Sequence, residues 1–345
     1  MATLPDVITS EEHLDDVLTE PTDEVVQALA DAAGDVLILG VGGKMGPTLA
    51  HLARRAMEQG GLTGRVIGVS RFSEPSIERR LRDAGIETIS CDLLDEGALN
   101  DLPDAPNVIL MAGRKFGSTG AEALTWAMNT YLPGQVARRY RHSRLVVFST
   151  GNVYPLVPVT SGGATEDHRV DPVGEYAQSC LGRERMFQYF SERHGTPVTI
   201  LRLNYAIDLR YGILLDVAQN VWAGEPIDLT MGNVNVIWQG DANRVVLRSL
   251  GVCSSPPRVL NLTGPETVSV RHLALRFGDL LGRTPVFVGE EAATALLSNA
   301  SRSHALFGYP SVSLEHMIRW VAHWVKEGGR ALGKPTHFQA RDGNF

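Results

Sequence analysis

A chain of 345 residues with 43% hydrophobic and 21% charged side chains has the make-up of a soluble globular protein, with room for one large α/β domain and a smaller lobe. Its net charge of −7 gives no support to nucleic-acid binding, although a charge total leaves room for a local patch, and no apolar run of about 18 residues offers a membrane span. No basic and apolar leader opens the sequence, and the cysteines, Cys91, Cys180 and Cys253, make an odd, sparse set that suits a reducing cytoplasm better than a disulfide framework.

Residues 8–33 are acidic and helical in pattern, with Val25, Val26, Leu29 and Ala33 on one face. Residues 1–35 are therefore expected to form an N-terminal helical extension. Val36-Leu37-Ile38-Leu39 is a short, continuous apolar run that ends in glycine, as a strand buried on both faces of a parallel sheet does. A helix is expected from Pro47 to about Gln59, with proline suited to its first turn. Further strands over 65–70, 86–90, 107–112, 144–149 and 197–203 alternate with helices over 76–84, 118–141 and 174–194. Strand and helix taking turns predicts an α/β fold: a Rossmann-like, doubly wound parallel sheet over residues 36–204.

After Asn204 the alternation loosens. A helix over 213–223, a short strand near 234–238 and a final helix are expected. The last carries an apolar stripe of Leu314, Met317, Ile318, Val321, Trp324 and Val325. Residues 205–345 then make a smaller C-terminal substrate-binding lobe that contributes part of the sheet. Residues 328–345 read either as an ordered arm or as a loose tail.

Three stretches carry chemistry. Gly40-Val41-Gly42-Gly43-Lys44-Met45-Gly46 follows a buried strand and opens a helix. Phe148-Ser149-Thr150-Gly151-Asn152-Val153-Tyr154 closes another strand, and Tyr176-Ala177-Gln178-Ser179-Cys180 lies at a helix start. Together they resemble the extended short-chain dehydrogenase/reductases of the NAD-dependent epimerase/dehydratase family, over most of residues 36–325. The resemblance implies a bound dinucleotide. Gly40 would permit the tight turn, Gly43 the approach of backbone to pyrophosphate, and Gly46 the packing of helix on strand, with the phosphates at the helix N-terminus beside Lys44 and Met45. NAD-binding relatives place an acidic residue at the end of the second strand. Ser70-Arg71 stands there instead, so NADP is expected, aided by Arg71 and Lys44, with NAD as the alternative. Asp92 and Leu93 match the family's adenine contact, and Ala112 and Gly113 its groove-lining small residues.

The same resemblance makes Thr150 and Tyr176 the hydroxyls of proton transfer. Four residues after the tyrosine the family has a lysine, which holds the nicotinamide ribose and lowers the tyrosine pKa. Cys180 occupies that position, one helical turn from Tyr176 on the same face. A neutral thiol supplies no charge, so Lys115, or Arg114 beside it, is proposed as a substitute cation; alternatively the pair binds a carboxylate or phosphate of the substrate, so that Arg114, Asn152 and Asn204 are expected as substrate contacts. The histidines show no metal-ligand spacing and no metal site is expected. The expected activity is that of an NAD(P)-dependent oxidoreductase or epimerase on a sugar, sugar acid or sugar nucleotide. The alternative is a catalytically impaired relative that serves as a dinucleotide sensor or scaffold. A homodimer is expected through the helices at 118–141 and 174–194, where Leu124, Met128, Tyr131 and Leu132 are read as one face.

Overall fold

The computed structural model describes residues 4–115, 117–334 and 336–343. Seven strands form its central sheet: β1 Val36–Leu39, β2 Val66–Ser70, β3 Glu87–Ser90, β4 Asn107–Leu110, β5 Arg144–Thr150, β6 Val198–Leu203 and β7 Arg258–Leu262. Their spatial order is β7-β6-β5-β4-β1-β2-β3, and every neighbouring pair is parallel. Parallel strands need long crossovers, which the helices supply. The order reverses between β1 and β4, so the crevice at the carboxyl ends of those two strands is the place such a sheet offers a ligand. Both strands are buried along their whole length, which is why they read as unbroken apolar runs.

The helices are α1 Glu11–Leu18, α2 Asp23–Ala32, α3 Gly46–Gln59, α4 Pro75–Asp83, α5 Glu96–Asn100, α6 Glu122–Trp126, α7 Leu132–Arg139, α8 Gly174–His194, α9 Ile213–Ala223, α10 Gln239–Arg248, α11 Val270–Leu281, α12 Ser301–Phe307 and α13 Leu314–Lys326. On one face of the sheet Val25 of α2, Leu49 of α3 and Val246 of α10 pack with Ile38. On the other, Leu132 and Val136 of α7 and Phe187 of α8 pack with Leu39. A third core builds the C-terminal lobe around Trp238, Phe277 and Trp320. The N-terminal extension divides between these layers: α2 joins the sheet, whereas Leu14 and Leu18 of α1 join the lobe core. Asp15 holds Arg210 at 3.0 Å, and the Trp320 indole donates to the Pro5 carbonyl. No helix among the described residues is long and apolar enough to cross a membrane.

Two expectations change. The helix expected over 118–141 is a rod of α6 and α7 joined by a π turn over Ala127–Tyr131. The wide turn inserts one residue into the helical register. Leu124, Met128, Tyr131 and Leu132 consequently share no single face: Leu132 is wholly buried against the sheet, while Leu124 and Tyr131 are exposed. The end of the chain, left open between arm and tail, is an arm. Leu332 N–H donates to Arg210, Thr336 donates through both N–H and Oγ1 to Asp216, and Phe338 is buried. Arg341 donates to the Thr230 and Thr294 carbonyls, and Gly343 packs on Val173 and Gly174, where α8 begins.

Candidate functional site

The glycine loop sits where the strand order reverses. Gly40 has φ +92°, and a Cβ there would stand 2.5 Å from the Ala112 nitrogen, so both the turn and the packing of β1 on the end of β4 require glycine. Gly43 is different. A Cβ on it would meet only the Gly40 carbonyl oxygen, at 3.4 Å, and the residue is exposed. The loop thus keeps an open side at the start of α3, whose first N–H groups lack helical partners, and this fits a dinucleotide pyrophosphate. Ser70 abuts the loop at Gly42, Arg71 is exposed just past β2, and Asp92 and Leu93 follow β3.

A cleft of roughly 130 Å³ opens beside this loop. It is lined by Lys44, Lys115, Thr150, Asn152, Tyr176 and Asn204, drawn from separate segments of the chain. Thr150 ends β5 and its hydroxyl donates to Asn152 Oδ1 at 2.9 Å. Thr150 and Cys180 both stand close enough to the Tyr176 hydroxyl to influence its ionisation. Lys115 follows β4 and places its ammonium 5.9 Å from the centre of the Tyr176 ring. A second cavity of roughly 400 Å³, lined by Tyr211, Asp216, Asn220, Asp228 and the arm residues Lys334 and His337, adjoins the cleft through Tyr211.

Three residues sit differently from the expectation. Lys44 does not stand with Arg71 where a 2′-phosphate would sit. Its ammonium donates to the Ala206 carbonyl at 3.0 Å and lies 3.6 Å over the Tyr211 ring, beyond β6, whereas Arg71 follows β2 on the other side of β1. Arg114 does not line the cleft: its guanidinium donates to the Gly117 carbonyl and its backbone is clasped by Asn129. Cys180 is buried beneath Tyr176 and does not line the cleft either.

Burial dominates the electrostatics. It pushes the Tyr176 hydroxyl far above the ordinary tyrosine value; Cys180 adds to the rise and Arg183 opposes it. It lowers Lys115 to about 8, against a weak pull from Cys180. It lowers Lys44 to about 7, opposed by Asp208 and assisted by Lys115. Burial also raises the Cys180 thiol, with Arg183 opposing.

Sequence reasoning passed over Asn129, Arg183 and Glu184. Asn129 lies in the π turn, fully buried, and donates to Ser179 Oγ at 3.0 Å. An asparagine inside a helix that satisfies partners outside it was the available signal. Glu184 is gripped by Arg202 through both oxygens, at 3.0 and 2.7 Å, and accepts from Ser149 Oγ at 2.5 Å. Arg202 also donates to the Tyr154 hydroxyl at 2.7 Å. This buried network ties β5, β6 and α8 together behind the cleft.

Similar proteins share this architecture. The UDP-glucuronic acid 4-epimerase of Bacillus cereus, solved with NAD, superposes with a TM-score of 0.69 at 18% identity, covering 85% of this chain and 99% of its own. The dTDP-glucose 4,6-dehydratase of Bacillus anthracis, also solved with NAD, gives 0.71 at 16%, covering 86% and 97%. The UDP-glucose 4-epimerase of Thermus thermophilus, in complex with NAD, gives 0.67 at 18%, covering 84% and 98%. No curated protein matches the chain. In sequence, residues 36–207 match the model of the NAD dependent epimerase/dehydratase family. From the first strand of its sheet to the residues just past β6, the chain belongs to that family.

Proposed function

We propose that this protein is a nicotinamide-dinucleotide-dependent enzyme that acts at a carbon bearing a hydroxyl or keto group on a nucleotide sugar or a related sugar acid. The observation that carries the reading is the meeting of Thr150, Tyr176 and Lys115 in one cleft beside an open glycine loop. Residues 36–204 form the dinucleotide half and residues 205–345 the substrate half. Gly40, Gly43, Met45, Gly46, Ser70, Arg71, Asp92, Leu93, Ala112 and Gly113 would hold the dinucleotide. When bound, it supplies a hydride acceptor or donor. Arg71 favours NADP, although the similar structures carry NAD.

The chain's own residues handle the proton. Thr150 orients the substrate oxygen, and Tyr176 gives that oxygen a proton or takes one from it. Lys115 supports the negative charge that forms on the phenol oxygen. Asn152 and Asn204 bond the sugar, and the 400 Å³ cavity next to the cleft has the size and polar lining for the remainder of a nucleotide sugar. The same reading includes a homodimer through the α6–α7 rod and α8, where Leu124, Tyr131 and Tyr189 are exposed; light scattering at several concentrations tests it.

The second reading is a dinucleotide sensor without turnover. It is favoured by Cys180 and by the strongly raised Tyr176 hydroxyl. Incubation with UDP-glucose, UDP-glucuronic acid and dTDP-glucose, with either dinucleotide, followed by chromatography of the products, separates the two. Product that disappears in Tyr176→Phe supports the enzyme. Tight dinucleotide binding with no product from any sugar leaves the sensor.

A further inference from the structure

We infer that Arg183 is the fixed positive charge of this site, a positioning residue that serves Tyr176 from one turn beyond the position where the motif lacks its lysine. The inference deepens the reading of Tyr176 as proton carrier and rests on it.

Arg183 follows Cys180 by three residues, on the same face of α8. Helical side chains lean toward the N-terminus, so a long one reaches back over the preceding turn. Two hydrogen bonds fix where this one ends. One guanidinium nitrogen donates to the Phe148 carbonyl at 2.6 Å, and another to Asn129 Oδ1 at 2.8 Å. The amide of the same Asn129 donates to Ser179 Oγ. The guanidinium therefore stands level with Ser179 and Cys180, not a turn below them. Above it lies Gly113 at the end of β4: a Cβ on that glycine would come within 2.4 Å of a guanidinium nitrogen. The exposed floor of the groove thus closes directly over the cation.

The charge is uncompensated. Arg183 is only 5% exposed, yet among the described residues it forms no ion pair. Glu184, its neighbour in sequence, is committed to Arg202. Both acceptors of Arg183 are neutral, and its Nε has no hydrogen-bond partner. A buried cation without an anion is costly, and an apolar side chain would fill the space at less cost. The arrangement gains if an anion forms beside it. Arg183 favours the charged forms of both Tyr176 and Cys180. The other groups that face Tyr176 are Thr150 from β5, Lys115 after β4 and Lys44 from the glycine loop. Both lysines titrate within reach of neutral pH; a guanidinium does not.

The test places a polyfluorinated tyrosine at position 176, whose lower phenol pKa brings its ionisation into range and whose fluorine shift reports that ionisation without substrate. Arg183→Gln is expected to raise the midpoint by about one unit or more, the scale of a nearby charge. Arg183→Lys keeps the charge and is expected to recover much of the shift. Gly113→Ala, which drives the guanidinium off its seat, is expected to move the midpoint in the same direction as Arg183→Gln. An unchanged midpoint in folded Arg183→Gln overturns the inference. If that variant does not fold, an unchanged midpoint in Gly113→Ala overturns it instead. A shifted midpoint in a protein that turns over none of the sugars sustains the inference and removes the proposed function. Turnover that dies in Tyr176→Phe while Arg183→Gln leaves the midpoint alone does the reverse.

Discussion

Replacing Lys115 with methionine removes a charge and keeps the length of the side chain. The ammonium lies 5.9 Å from the centre of the Tyr176 ring. Taking that ring-centre distance as the scale of the separation between ammonium and phenol oxygen, unit charges attract by about 2.8 kcal/mol in an effective dielectric of about 20, and by about 1.4 kcal/mol if the half-open cleft doubles that dielectric. Losing this support raises the barrier by about the same amount while Lys115 is charged, and a rate limited by charge developing on the phenol oxygen falls by about 10- to 100-fold below about pH 8. The loss belongs in kcat, because the ammonium acts on the barrier and not on the resting substrate. A second signature accompanies it. Lys115 is held down to about 8 by burial, so its charge is present below that pH and lost as pH rises through it. Wild-type kcat should therefore decline above about pH 8, and Lys115→Met should lack that decline. The assay is kcat against pH on whichever nucleotide sugar is turned over. A Lys115→Met enzyme indistinguishable from wild type in kcat, and still declining at alkaline pH, refutes the reasoning.

Arg202→Met strands the Glu184 carboxylate in the interior and should cost about 3–5 kcal/mol in urea unfolding, part of which Glu184→Gln in the same chain should recover. Gly43→Ala should keep the wild-type melting temperature while weakening dinucleotide binding by fluorescence titration, whereas Gly40→Ala should lose about 1–3 kcal/mol of stability. Burial lowers Lys44 to about 7, so its side-chain carbon shift in an NMR titration should move near neutral pH, and a shift that stays flat up to about pH 9 would contradict the lowering. Arg71→Ala should weaken NADP binding by about 1.5–3 kcal/mol and leave NAD unaffected, as titration of both dinucleotides would show.

The strands at the centre of the sheet were legible because burial on both faces leaves no room for polar side chains. β7 was not, because its run is broken by Asn261. That residue is fully buried; it accepts from the Tyr154 hydroxyl and donates to the Ala164 and Asn299 carbonyls. A polar residue satisfied by partners far along the chain looks like a loop residue in its own neighbourhood. The site divides along the same line. Tyr176 and Cys180 could be read together, since the family resemblance marks the motif and one helical turn joins them. Arg183 could not, because its role depends on Phe148, Asn129 and Gly113, which three other elements bring to it. The π turn was hidden for a related reason: its sequence is that of an ordinary helix, and what marks it is what Asn129 bonds outside the rod.

The arm also has a kinetic meaning. Its contacts start on Arg210 and Asp216 of the lobe and finish on Val173 and Gly174, at the root of the helix that bears Tyr176. Thr336, which makes the bonds to Asp216, stands in the wall of the cleft. The lobe and the helix that bears Tyr176 are thus fastened by a clasp, in addition to the lobe core in which Cys180 packs. Local opening of such a clasp is what amide hydrogen exchange records. The Thr336 amide, held by the Asp216 carboxylate, then keeps count of how often the cleft comes undone, and a ligand that fills the cleft should slow that count.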